Sequence, residues 1–186
     1  MGNTASNVAA GKPKTTGSIY RAPLGTELPT DATTALASAY ICAGYVSDAG
    51  VVNSKTREAA EIKAWGGDTV LNPQTSKKDT FKFTLIESKN TEVLKIVHGD
   101  ANVTGALKTG LTLTENSDEL DAAVYIIDMI LNGTFKRIVI PNGQPTEIGD
   151  VEYKDDSAVA YPVTLTAYPH AGYNGATHKE FLQDEE

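Results

Sequence analysis

Residues 78–87, Lys-Asp-Thr-Phe-Lys-Phe-Thr-Leu-Ile-Glu, constrain the fold more than any other stretch. Phe81, Phe83 and Leu85 fall on one side of an extended chain; Thr80, Lys82 and Thr84 fall on the other. That period of two belongs to a strand with one buried face. A second signal is Asn132-Gly133 between the apolar runs Ala123–Leu131 and Thr134–Ile140. Asn and Gly both tolerate positive φ, so the pair predicts a tight hairpin. Further strands are predicted at Ser38–Val46, within Asn102–Glu115, at Val151–Lys154 and at Val159–Tyr168, with Pro141-Asn142-Gly143 as a turn. One helix is predicted over Asn90–His98. Ser88, Lys89 and Asn90 offer its start, Glu92 suits the positive end of the dipole, Val93, Leu94, Ile96 and Val97 make an apolar stripe, and Gly99 ends it. So short a helix must pack on a sheet. The expected fold is therefore mainly β, a β-sandwich or barrel-like sheet pair with one short flanking α-helix.

The ends of the chain are poorer in large apolar residues. Residues 1–30 are expected to form a flexible N-terminal arm, locally basic through Lys12, Lys14 and Arg21. Residues 171–186 are expected to form an acidic C-terminal tail, leaving residues 31–170 as the folded domain. Within that domain, residues 51–76 are long and polar. They admit a helix over Ser54–Ala64 or a long hairpin leaving the domain with Gly66-Gly67 as its bend. Long ordered excursions from compact domains usually carry function.

Charge and composition exclude several classes. Lys plus Arg number 16 and Asp plus Glu 24 in 186 residues, a net charge of −8. That opposes tight nucleic-acid binding, which needs clustered cations to displace counterions. A single cysteine, Cys42, rules out an internal disulfide framework; it reads as a packed, inert thiol. No apolar run approaches the ~18 residues a membrane span needs; Ala122–Leu131 is the longest, and Asp128 interrupts it. Met1–Thr16 lacks the apolar core of a secretory signal. A soluble protein of a reducing compartment is expected.

No catalytic constellation emerges. His98, His170 and His178 show no metal-ligand spacing. Glu115, Asp118, Glu119 and Asp121 form an acidic run without the glycine and ligand order of a calcium loop. Ala10-Gly11-Lys12-Pro13 fails as a phosphate loop, and Met1-Gly2 through Ser6 matches only the loose myristoylation pattern. No enzyme activity, cofactor or metal is expected.

An ordered series of segments carries a resemblance. Tyr45-Val46-Ser47-Asp48-Ala49-Gly50-Val51, Ile62-Lys63-Ala64-Trp65-Gly66-Gly67-Asp68, Gln74-Thr75 and Asp79 through Glu87 come first. Val93-Leu94-Lys95, His98-Gly99, Asn102-Val103, Arg137 through Gly143 and Tyr161 through Pro169 follow. Across residues 17–173 the chain resembles the major tail proteins, or tail tube proteins, of long, non-contractile-tailed bacteriophages. Residues 1–16 and 174–186 have no counterpart in that resemblance.

The resemblance implies a structural virion protein of the tail, present in the host cytoplasm during assembly. Its partners would be copies of itself in stacked, hexameric rings, a tape measure protein, and tail terminator and baseplate or tip proteins. DNA would pass through the lumen without specific binding. Residues 51–76 would form the inter-ring loop, with Lys55, Arg57, Glu58, Glu61, Lys63, Trp65 and Asp68 as candidate contacts. Glu115, Asp118, Glu119 and Asp121 are the candidate acidic residues of the lumen, where a wall of the same sign as phosphate would not retain DNA. The competing expectation is a monomeric β-sandwich binding or adhesion module, for which Tyr153, Tyr161, Tyr168 and Tyr173 are candidate exposed aromatics.

Overall fold

The computed structural model describes residues 2–185; Met1 and Glu186, the extreme ends of the two expected arms, lie outside them. The strands are β1 (Gly11–Pro13), β2 (Ile19–Ala22), β3 (Ile41–Cys42), β4 (Val46–Ala59), β5 (Ile62–Lys63), β6 (Thr69–Leu71), β7 (Gln74–Leu85), β8 (Val103–Ala106), β9 (Gly110–Leu113), β10 (Ala123–Leu131), β11 (Thr134–Ile148), β12 (Tyr161–Ala167) and β13 (Lys179–Asp184). The α-helix is α1 (Thr91–His98). A nine-stranded antiparallel sheet runs β3-β2-β10-β11-β12-β7-β4, with β1 added to β10 and β13 to β11. Two small ribbons, β5-β6 and β8-β9, stand apart.

The expected hairpin is present. Asn132 and Gly133 have φ of 49° and 97°, and Leu131 pairs with Thr134. The expected turn at Pro141-Asn142-Gly143 is not a turn. β11 runs straight through it and changes partners there. Thr134–Val139 lie between β10 and β13, whereas Gly143–Ile148 pair with β12. The register against β10 slips at the same place, between Ala123 and Tyr125. Such a bulge bends a strand and sharpens its twist. Gly143 permits the bend, because a Cβ there would lie 2.9 Å from the Tyr125 ring and 3.2 Å from Leu165.

The bend lets both halves of the sheet wrap one core. Tyr125, Ile127, Ile138 and Ile140 from one half meet Phe81, Phe83, Leu85, Val163 and Leu165 from the other. Helix α1 closes this core with Val93, Leu94, Ile96 and Val97. Burying each such side chain contributes about 1.5–3 kcal/mol. The Asn90 side chain accepts from the Glu92 amide at 3.0 Å, and Gly99 at φ 91° ends the helix, as expected. Arg21 ties β2 to the helix: Nη1 donates to Glu92 Oε1 at 2.9 Å and to Asp100 Oδ1 at 2.7 Å. Burial opposes the Arg21 charge, but these carboxylates more than offset it and raise its pKa.

A second apolar layer covers the other face of the first half. Val124, Ile126 and Val139 pack there with Tyr40, Tyr173, Leu28, Leu36 and Phe181. With both faces covered, β10 reads as a nearly continuous apolar run rather than an alternating one.

Both expected arms are partly built into the sheet. β2 lies inside it between β3 and β10, and β13 is hydrogen-bonded to β11 from Lys179 to Asp184. Each is too short to form alone and owes its structure to the strands β10 and β11, 40 or more residues away in sequence. The Val151–Lys154 strand is absent: that segment is an exposed loop. Ser38–Val46 supplies only β3 and the first residue of β4, and Cys42 is half-buried.

Candidate assembly surface

Residues 51–76 adopt the hairpin alternative. β4 and β7 pair from Val51↔Phe83 out to Ala59↔Gln74, and β5-β6 continue the ribbon beyond. At its far turn Gly66 and Gly67 have φ of 114° and 100°. The Ala64 amide donates to the Asp68 carbonyl at 2.8 Å. Every residue from 55 to 78 is exposed. A lone two-stranded ribbon is marginally stable in water, and this one also displays large apolar side chains. Trp65 is fully exposed, and Ile62 sits opposite Leu71 with both about half exposed. Clustered apolar exposure of this kind marks an interaction surface.

The seven candidate contact residues all lie on this ribbon. Lys55 Nζ is 3.8 Å from Glu180 Oε1. Arg57 donates to Gln74 Oε1 at 2.9 Å, and Glu58 accepts from Ser76 Oγ at 3.0 Å. Glu61 lies 3.8 Å from Lys63, while Trp65 and Asp68 occupy the far turn. These local contacts stiffen the ribbon and leave its tip open.

A buried polar cluster at the ribbon's base holds it to the body, and sequence reasoning missed it. Asp79 accepts from Asn53 Nδ2 at 2.8 Å and from Thr177 Oγ1 at 2.6 Å, and His178 Nδ1 lies 2.6 Å away. Burial alone would raise the Asp79 pKa, but these hydrogen bonds hold it at about 2. The His178 ring stands edge-on to Phe81 at 5.2 Å, and its Nε2 is 3.4 Å from Glu180. Glu180 also accepts from Lys136 at 2.7 Å, which lowers its pKa. β13 thereby clamps the ribbon. No spacing rule joins residues 79 and 178, so only the fold reveals the pair.

The acidic run lies elsewhere. Glu115 contacts His98 Nδ1 at 2.8 Å, and Asp121 accepts from the Asp100 amide at 3.0 Å. Asp118 accepts from Asn116, and Glu119 is exposed. Asp118 and Glu119 border a shallow groove shared with Gln144, Glu147 and Tyr168. Asp128 does not join them. It is buried against Arg137. Among the described residues no group of three or more His, Cys, Asp or Glu side chains is placed to hold a metal ion, and no helix is long and apolar enough to cross a membrane.

The described residues thus form a largely antiparallel β body with helix α1 on its core and a projecting, exposed ribbon. A family model described as "Phage tail tube protein" matches residues 1–184. The chain belongs to the phage tail tube protein family, a structural family and not one of enzymes, and its place is the virion tail. The non-contractile tail type, expected from the resemblance, is no part of that assignment. No curated protein matches the chain. Among solved structures it is similar to a chain of the PVC sheath-tube complex of an extracellular contractile injection system in the extended state, with 10% identity, a TM-score of 0.41, and 98% of this chain and 99% of that one covered. It is also similar to a chain of the anti-feeding prophage tube-terminating cap, with 9% identity, a TM-score of 0.42 and 99% of both chains covered. At such TM-scores neither adds weight to the assignment, which rests on the family match.

Proposed function

We propose that this chain polymerises as stacked rings into the tail tube and that the ribbon of residues 51–76 bridges one ring to the next. The observation that carries this reading is the fully exposed ribbon with Trp65 at its tip, in a chain of the tail tube family. A marginal hairpin clamped so firmly at its base is suited to entering a neighbouring copy. Hexameric rings, assembly around a tape measure protein, contacts with terminator and tip proteins, and passage of DNA through the lumen belong to this reading as expectations of the resemblance. The net charge of −8 supports a conduit that repels its cargo. We assign Glu115, Asp118, Glu119 and Asp121 to the wall, with Asp118 and Glu119 the freer pair.

Sedimentation of the full chain over a concentration series tests the assembly. The wild type should pass from small species to large polymers above a threshold, and a variant with residues 60–73 replaced by a short turn should stay small. Equal polymerisation of both would remove the ribbon from the contact. For the wall, virions carrying Asp118→Lys and Glu119→Lys should eject DNA more slowly; unchanged kinetics would reject the wall assignment.

A further inference from the structure

The ribbon and the β11–β12 connection carry net charges of opposite sign. Residues 55–78 of the ribbon hold Lys55, Arg57, Lys63, Lys77 and Lys78 against Glu58, Glu61 and Asp68. Arg57 and Lys77 are direct cross-strand partners on β4 and β7. Like charges so placed repel and weaken a two-stranded ladder. Among the described residues none of the ion pairs involves Arg57, Lys77 or Lys78. Apart from the bond of Arg57 to the neutral Gln74, this opposed and exposed cationic pair is open to an anion from outside.

That anion is presented at the other end of β7. β7 runs from Gln74 within the ribbon to Leu85, which pairs with Tyr161 at the start of β12. The β11–β12 connection leaves there. Its base is closed by the Gly149 amide donating to the Pro162 carbonyl at 2.8 Å. Adjacent antiparallel strands can be joined by two residues, yet residues 149–160 intervene. Val151 and Val159 pin the loop to the core, and residues 152–158 stand exposed between them. Asp150, Glu152, Asp155 and Asp156 outnumber the single Lys154, and Tyr153 is 77% exposed.

We propose that Arg57 and Lys77 of one copy seat on the Glu152–Asp156 loop of the next copy, making that loop the receptor for the ribbon. This rests on the tube reading above. The contact joins unlike surfaces of identical chains, so it propagates along a stack instead of closing at a dimer. Because the groups are exposed, the contact weakens as salt shortens the screening length.

The test is a charge swap in the full chain, with folding checked by circular dichroism and thermal melting. One variant carries Arg57→Glu and Lys77→Glu, a second Asp155→Lys and Asp156→Lys, and a third all four changes. Each double variant should raise the assembly threshold about tenfold or more, and the fourfold variant should recover most of that loss. Added salt should raise the wild-type threshold. A double variant assembling at the wild-type threshold, or a fourfold variant without recovery, overturns the receptor and leaves the tube intact. Binding of duplex DNA lost on Arg57→Glu and Lys77→Glu with assembly unchanged assigns the pair to nucleic acid and overturns the receptor as well. A wild-type chain that forms no polymer removes the tube reading and the receptor together.

Discussion

Asp128 and Arg137 face each other across β10 and β11 as a two-pronged ion pair, with Arg137 Nε and Nη2 each donating to one carboxylate oxygen at 2.8 Å. Both side chains are only 3% exposed. Arg137 Nη1 reaches on to the carbonyls of Thr34 at 2.8 Å and Asp31 at 3.3 Å. Lys14 Nζ lies 3.6 Å from Asp128 and 4.6 Å from the centre of the Phe135 ring. One buried pair thus gathers the hairpin, the segment before β3 and the N-terminal arm. Arg137→Met leaves Asp128 charged with only the more distant Lys14 beside it, and breaking such a buried pair costs about 3–5 kcal/mol. Urea unfolding should show that loss, and Asp128→Leu in the same chain should restore much of it. A loss below about 1 kcal/mol would mean that water or Lys14 replaces the guanidinium.

Asp79 gives a pH signature. Its carboxyl sits at about 2, below the ordinary 3.8, through its bonds from His178, Thr177 and Asn53. A depressed carboxyl stabilises the fold above its unfolded pKa, and the gain fades as pH falls from about 4 toward 2. A shift of this size is worth at most about 2 kcal/mol. Asp79→Asn should therefore be less stable near neutrality by up to that amount, and the two stability curves should converge by about pH 2. A gap that stays constant across that range would place its origin in packing and not in the charge.

Local chemistry announced part of this architecture. The alternation of Phe81, Phe83 and Leu85, the Asn132-Gly133 turn, and the cap and stop of α1 all act within a few residues, so the chain spells them out. β2 and β13 do not. Tyr20 becomes a strand residue because Ile126 lies beside it, and Leu182 because Lys136 does. Pro141-Asn142-Gly143 has turn composition but serves as a bend, since β12 waits to pair beyond it. The ribbon was visible as a polar excursion with Trp65 in it. The opposition of Arg57 and Lys77 depends on register, which the order of residues alone leaves open.

Gly143 tests the bend. Its backbone is not left-handed, so any effect of substitution is steric. Alanine would press on Tyr125, Ile140 and Leu165 at 2.9–3.2 Å. Overpacking of this kind costs about 1–3 kcal/mol. Calorimetry of Gly143→Ala should show a lowered melting temperature, and an unchanged one would show that the corner has slack.

Trp65 separates folding from assembly. The side chain is fully exposed, so Trp65→Ala should change the stability of the single chain by no more than about 0.5 kcal/mol. If the tip enters a neighbour, the same change removes a large aromatic anchor and should cost about 2 kcal/mol or more in association. Chemical denaturation and light scattering on the same sample read the two effects. Loss of single-chain stability with assembly unaffected would reverse the assignment.

Negative-stain electron microscopy of the purified chain across a concentration series tests the central claim most directly. The account predicts rings that stack into long hollow tubes above a threshold concentration. Particles that remain single at the highest concentration, even with other tail components added, would contradict it.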